Sequence, residues 1–194
     1  MGRFSLPLFK MISILLALTF FFEAGAKEIA DVKILPIIKC DGKQIPLSGA
    51  GLRTATILKI KIYVLALYAP TPIRKDSGPE LEQRPICFDL TYLRDFDNGD
   101  VDKAWKYQFE ESAEHKYANF KNDLNELQKI FGEIKGKRNQ FIEFTGESSK
   151  FYENGQLKGE IKGKDFQKTF LSIWFGENPP TEVLKENLLK GLEK

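Results

Sequence analysis

The sequence predicts an α+β protein with a mainly antiparallel sheet. Three observations carry this. Segments that alternate apolar and polar residues are joined by hairpin signals, Asp41-Gly42 and Asn154-Gly155. A long run at helical spacing occupies the middle of the chain, and the strands do not alternate with helices as the repeating units of a parallel sheet would. The 194 residues are 42% hydrophobic and 29% charged, a globular balance that excludes a disordered or collagen-like chain.

Residues 1–26 have the three parts of a secretory signal peptide. Arg3 and Lys10 make a basic start, residues 11–22 are uncharged and mostly apolar, and Glu-Ala-Gly-Ala ends at Ala26, where cleavage is expected. The apolar stretch would cover only ~18 Å of a ~30 Å bilayer core. The next uncharged stretch, residues 62–73, is also too short and contains Pro70 and Pro72. The mature chain is therefore expected to be periplasmic or secreted, with no transmembrane span, and residues 27–194 to form one domain.

Within that domain, residues 32–38 form an apolar run broken by Pro36, which belongs at a sheet edge or bulge. Residues 44–52 follow the Asp41-Gly42 turn. The clearest strand is 58–68. Leu58, Ile60, Ile62, Val64, Ala66 and Tyr68 fill one face, while the other passes from Lys59 and Lys61 to Tyr63, Leu65 and Leu67. Residues 70–85 read as a loop. Ile86, Phe88, Leu90 and Tyr92 then alternate with Cys87, Asp89 and Thr91 in a half-buried strand.

Residues 97–131 are helical. Val101, Trp105, Phe109 and Ala113 recur every four residues, and Tyr117, Phe120, Leu124, Leu127 and Phe131 continue the spacing, with Asn98 or Asp100 as the starting cap. Residues 140–145, 150–152 and 156–162 make a meander. A helix over 165–175 carries Phe166, Phe170 and Trp174, which should cover one face of the sheet. Gly176-Glu-Asn-Pro-Pro stops it, and Thr181 caps a last helix to about residue 192.

Removing residues 1–26 leaves 27 basic against 26 acidic residues, a formal charge of +1 spread along the chain. Nucleic-acid binding needs clustered cations, and the short basic stretch 135–138 is flanked by Glu133 and Glu143, so no nucleic-acid partner is expected. Two isolated cysteines and one histidine offer no metal-ligand spacing, and no cofactor motif occurs. His115, between Glu114 and Lys116, reads as a solvated helix residue. Export would permit a Cys40–Cys87 disulfide, but spacing alone leaves that pairing open. The sequence carries no signal of oligomeric state.

Two stretches carry a family resemblance. One is Leu47-Ser-Gly-Ala-Gly-Leu-Arg53 followed by Ile62-Tyr-Val-Leu-Ala-Leu-Tyr68. The other is Phe170-Leu-Ser-Ile-Trp-Phe-Gly176-Glu-Asn-Pro-Pro180 followed by Leu188-Leu189. Together they resemble the chalcone isomerase-like superfamily, most of all its exported bacterial branch. The resemblance implies an open-faced β-sandwich, a large antiparallel sheet with helices packed on one face and a cleft between them.

The plant enzyme of that superfamily cyclises a chalcone, using a cation near the developing enolate and hydroxyl donors on the ketone oxygen. Arg53 occupies the position of the family's arginine. The other active-site positions depart from the pattern. The small hydroxyl residue on the next strand is Tyr63, the catalytic tyrosine would fall within residues 96–99, where none exists, and the late threonine or serine is Ile173.

Fatty-acid-binding members instead use the arginine and a neighbouring tyrosine to hold a carboxylate. A guanidinium presents a planar two-donor fork to a carboxylate, and a phenol adds a third donor. The resemblance thus implies a non-catalytic protein binding a small apolar carboxylate through Arg53, Tyr63, Tyr68 and Trp174. The tail would lie against Leu65, Phe109, Phe170 and Trp174.

Arg53 and Tyr63 can share a carboxylate only if the chain reverses near residues 56–59, because ten residues of straight strand would separate them by ~33 Å. Thr-Ile-Leu-Lys contains none of the strong turn formers. Two other functions stay open: an intramolecular lyase or isomerase of unknown substrate, and a structural or interaction protein of the cell envelope. Arg53 would otherwise be a surface residue or a partner of Asp89, and Tyr63 a core aromatic.

Overall fold

The computed structural model describes residues 26–70, 85–112 and 119–190. Residues 1–25 of the expected signal segment, most of the loop expected over 70–85, and Ala113, His115 and Tyr117 of the expected helix lie outside them. Nine strands are described: β1 (Lys27–Ile29), β2 (Val32–Ile34), β3 (Ile37–Cys40), β4 (Lys43–Ala55), β5 (Ile60–Tyr68), β6 (Ile86–Tyr92), β7 (Asn139–Phe144), β8 (Ser148–Glu153) and β9 (Gln156–Lys162). Four helices accompany them: α1 (Asn98–Ser112), α2 (Lys121–Phe131), α3 (Lys164–Phe175) and α4 (Glu182–Leu189). Among the described residues, no helix is long and apolar enough to cross a membrane.

Strands β3 to β9 form one antiparallel sheet in chain order, and β1 pairs with β2 separately. Asp41-Gly42 and Asn154-Gly155 turn as expected, with all four residues at positive φ, the geometry that suits the twist of paired strands. Strand β4 runs on to Ala55 rather than stopping at residue 52, and three further boundaries differ from the sequence expectation for a local reason. The run over 32–38 divides at Pro36, which cannot donate to a ladder; its carbonyl instead accepts from Leu47 N at 2.8 Å. The strand expected from Leu58 begins at Ile60, because residues 56–59 are a turn. The cap of α1 is neither Asn98 nor Asp100 but Asp97, whose Oδ1 accepts from Asp100 N at 2.8 Å.

The sheet is curled. In a flat sheet β3 and β6 would stand three strand spacings apart, about 14 Å. Cys40 on β3 and Cys87 on β6 are instead joined by a disulfide with a Cα–Cα distance of 6.2 Å. The long strand β4 has a register shift between Leu47 and Gly49, and its first half carries β3 back over the sheet. Asp41 N reaches Glu143 Oε1 on β7 at 3.0 Å. This fold-over buries Ile34, Cys40 and Ile45 against Val64, Ala66, Tyr68 and Cys87.

The helices cover the other face. Phe166, Phe170 and Trp174 form one stripe of α3, as the periodicity predicts, and meet Trp105 and Phe109 of α1. Phe170 stacks on Trp105 at 5.4 Å between ring centroids and also contacts Phe144 and Phe151 of the sheet. Thr181 caps α4 by accepting from Leu184 N at 3.2 Å. Thr181→Ala should cost about 1 kcal/mol. In a domain of this size that lowers the melting temperature by about 2–4 °C, which scanning calorimetry would detect.

Candidate functional site

Along β4, Gly49, Gly51 and Arg53 follow one another on the face that meets α4. A Cβ on Gly49 would lie 2.5 Å from the Leu188 carbonyl carbon and 2.7 Å from the Asn187 oxygen. One on Gly51 would lie 2.9 Å from Leu184 Cδ1. The two glycines therefore let a helix rest on the backbone of the strand. Arg53 is the next full side chain on that face, and it shares the lining of one cavity with Pro180, just before α4 starts. The Gly-x-Gly-x-Arg spacing is thus a packing device that ends in a cation.

The chain reverses after Ala55. Thr56 and Lys59 sit at positive φ, Lys59 N donates to Thr56 O at 3.1 Å, and Leu58 N donates to Thr56 Oγ1 at 3.3 Å. The threonine hydroxyl is the turn signal that a search for Gly, Asn, Asp and Pro passes over. With this reversal Arg53 pairs with Tyr63 across β4 and β5, and Tyr63 pairs with Tyr92 across β5 and β6. Three polar side chains so form one row over three neighbouring strands.

The row lines a cavity of about 290 Å³ between the sheet and helices α1 and α3. That volume lies near the lower end of the ~300–1,000 Å³ typical of small-molecule sites. Most of the wall is apolar, with Ala55, Ile62, Leu90, Phe96, Val101 and Trp105 among its residues. Asp100 and Gln108 of α1 and Ile173 and Trp174 of α3 complete it on the helical side.

The Arg53 guanidinium carbon lies 5.7 Å from the centre of the Tyr63 ring, a cation–π distance. Among the described residues no carboxylate comes within salt-bridge reach of it. Asp89, its alternative partner, faces the opposite side of β6 and accepts from Asn139 Nδ2. The Tyr63 hydroxyl accepts from Trp174 Nε1 at 2.9 Å, which orients the phenol. Burial pushes the Tyr63 pKa up to about 12, against the lowering effects of Arg53 and of the Trp174 bond. Burial, with Tyr63 beside it, holds Tyr92 well above the usual phenol range. Both phenols therefore stay protonated at physiological pH and can donate.

Of the four residues named from the sequence, Arg53, Tyr63 and Trp174 meet at this cavity. Tyr68 does not reach it. Five residues beyond Tyr63 on one strand, Tyr68 points to the opposite face, is fully buried, and donates its hydroxyl to Leu35 O at 2.9 Å. It fastens the folded-over segment rather than facing a ligand. Leu65, Phe109 and Phe170 are likewise closed core and do not line the cavity.

Tyr92, Asp100 and Gln108 also line the cavity, beyond the ligand-site residues that the resemblance implies. The Tyr92 signal was its alternation with Leu90, which puts both on the helix-covered face. Among the described residues, no three His, Cys, Asp or Glu side chains converge as metal ligands.

These features define an α+β protein with a curled antiparallel sheet, helices on one face, and an apolar pocket headed by an arginine and two phenols. The chain belongs to the chalcone isomerase-like family, whose model matches residues 26–190. No curated protein matches it in sequence. Among solved structures it is similar to the crystal structure of a fatty-acid binding protein from Arabidopsis thaliana. That likeness has a TM-score of 0.68 at 16% identity and covers 86% of this chain and 96% of that one. At this identity it establishes the shared fold.

Proposed function

We propose that the protein is a non-catalytic carrier that holds a small apolar carboxylate, fatty-acid-like, in the cavity at Arg53. The observation that carries this reading is an apolar pocket containing a guanidinium that no described carboxylate neutralises, flanked by phenols held in their donor form. A carboxylate would receive the arginine fork and a phenol proton, and its tail would lie along the apolar wall. The fatty-acid binding protein that shares the fold supports the ligand class.

Arg53 and the two protonated phenols are all donors, the set that a bound carboxylate accepts from, and the non-catalytic reading rests on the departures at Tyr63 and Ile173 from the family's active-site pattern. Asp100 sits exposed at the start of α1. For location we propose export to a periplasm or beyond. The signal-like residues 1–26 support it, as does the Cys40–Cys87 bridge, which persists in oxidising compartments.

Native mass spectrometry of the protein from an expressing host, wild type beside Arg53→Ala, tests the carrier reading. Wild type should carry an acidic lipid that the variant has lost, and titration with fatty acids should show affinity about 10–100-fold weaker for the variant. Tyr63→Phe should weaken binding by less, about 2–10-fold. It should also lower stability, because Trp174 Nε1 loses its acceptor. Affinity should stay level through neutral pH and fall below about pH 4–5, where the ligand carboxylate protonates. It should fall again as the Tyr63 phenol ionises near its raised pKa of about 12, because a phenolate repels the carboxylate. Wild type that is empty, with a melting temperature unmoved by fatty acids of several lengths, would overturn the reading.

A further inference from the structure

We propose that the tip of the β4–β5 hairpin docks onto an anionic lipid bilayer, with Ile57 and Leu58 entering the interface. Ile57 is 98% exposed and Leu58 78%, the two highest values among the exposed large hydrophobic residues. They are adjacent and lie at the end of a projecting turn rather than within a groove. The turn itself does not need them. Its bonds run from the backbone N–H groups of Leu58 and Lys59 to Thr56, so neither apolar side chain takes part, and Thr56 and Lys59 adopt positive φ although neither is the glycine or asparagine that such a conformation favours.

Charge at the tip is of one sign. Residues 54–61 contain Lys59 and Lys61 and no acidic residue. Leu93 N donates to Ile62 O, which brings the neighbouring, exposed Arg94 to the same end of the sheet. Asp95, next to Arg94, accepts from Gly136 N and keeps its charge, and Glu133 pairs with Lys135, so the excess of positive charge lies on the tip itself, at Lys59 and Lys61. Two apolar side chains flanked by cations match an interface in which acyl chains lie beneath anionic headgroups. A protein partner would require roughly 1,000 Å² or more of complementary surface, which two side chains do not supply.

The hairpin also adjoins the cavity. Ala55, the last residue of β4, lines the cavity and pairs with Ile60 immediately below the turn. Docking at the tip would therefore bring this wall of the cavity close to the headgroups, so that an apolar acid could pass between bilayer and pocket with little exposure to water. Docking stands on the hairpin alone, whereas its link to ligand exchange rests on the carrier reading.

The test is co-sedimentation with phosphatidylcholine vesicles with and without phosphatidylglycerol. Wild type and the Ile57→Ser/Leu58→Ser double variant would be prepared in the same full-chain form from the same host. Wild type should bind the anionic vesicles about 10–30-fold more strongly than the neutral ones, and rising salt should weaken the binding. The double variant should lose at least tenfold in binding with an unchanged melting temperature, since both side chains are in solvent. Ile57→Trp should show a blue-shifted emission on anionic vesicles.

Fatty-acid titration of the double variant in vesicle-free buffer separates the two readings. Normal ligand affinity with lost vesicle binding supports docking, whereas absence of ligand binding in wild type overturns only the carrier reading and its link to exchange. Docking is overturned if wild type ignores both vesicle types or if the double variant binds them as wild type does. It is also overturned if sedimentation velocity shows a dimer of this chain that the double variant dissolves, since the tip would then join two copies.

Discussion

Gly49→Ala is expected to lower the stability of the protein by about 4 kcal/mol, enough to leave much of it insoluble or unfolded at growth temperature. The added methyl group would fall onto the Leu188 carbonyl, 2.5 Å from its carbon and 2.7 Å from the Asn187 oxygen. These are backbone atoms, so the clash is relieved only by moving α4, whose Leu184, Leu188 and Leu189 are buried in the core. Gly51→Ala provides the comparison. Its nearest neighbours are Leu184 Cδ1 and Asn187 Cβ, at 2.9 and 3.0 Å, and a leucine methyl can give way. That variant should cost less, about 1–2 kcal/mol. Urea unfolding of the two variants measures the difference. Equal losses would show that α4 does not rest on the strand at Gly49.

Reducing the Cys40–Cys87 disulfide should have a comparable effect by a different route. The bridge closes a separation of 47 residues, and loop-closure entropy for that length is about 4 kcal/mol at 25 °C. Reductant, or a Cys40→Ala/Cys87→Ala variant, should therefore lower the melting temperature by about 8–16 °C for a domain of this size. Both cysteines are fully buried, so reductant should act slowly unless the fold-over opens first. Because Tyr68 and Ile45 pack in the same cluster, opening should expose Tyr68 while the Arg53 cavity on the other face keeps its shape. Fatty-acid affinity in reductant, measured well below the new melting point, should consequently stay within a few-fold of the oxidised protein. A large loss would show that the two faces are coupled.

Much of the site was legible in residue order. The alternation in residues 63–68 and 86–92 identifies which side chains face the helices, although it fails at Ile62, which the irregularity opposite Arg53 and Thr54 turns toward the cavity, and Gly49, Gly51 and Arg53 mark a strand under a helix with a cation at its end. The same alternation, followed from Tyr63, puts Tyr68 on the opposite face and Tyr92 beside Leu90. The family motif assigns Tyr68 to the ligand, whereas the strand period turns it to the opposite face, where its hydroxyl donates to Leu35 O. The cavity itself was not legible. Leu65, Phe109, Phe170 and Trp174 all read as apolar residues of the helix-covered face, yet the first three are closed core and only Trp174 borders open space. Periodicity reports which side a residue faces, whereas a void depends on how side chains from several elements fill the space between them.

The sequence by itself determined the antiparallel character of the sheet, the two hairpins whose paired positive-φ residues suit the sheet twist, and the aromatic stripe of α3. Each of these follows from local sterics or from the period of burial along one element. Only the tertiary structure decided the curl of the sheet, the Cys40–Cys87 pairing, and the meeting of Arg53, Tyr63 and Tyr92 in one row. Those arrangements join residues distant along the chain, and their geometry is set by β4 bending at its irregularity and by the turn that Thr56 closes. A bend of a few residues displaces everything beyond it by many ångströms, and nothing in the residues it displaces records that movement.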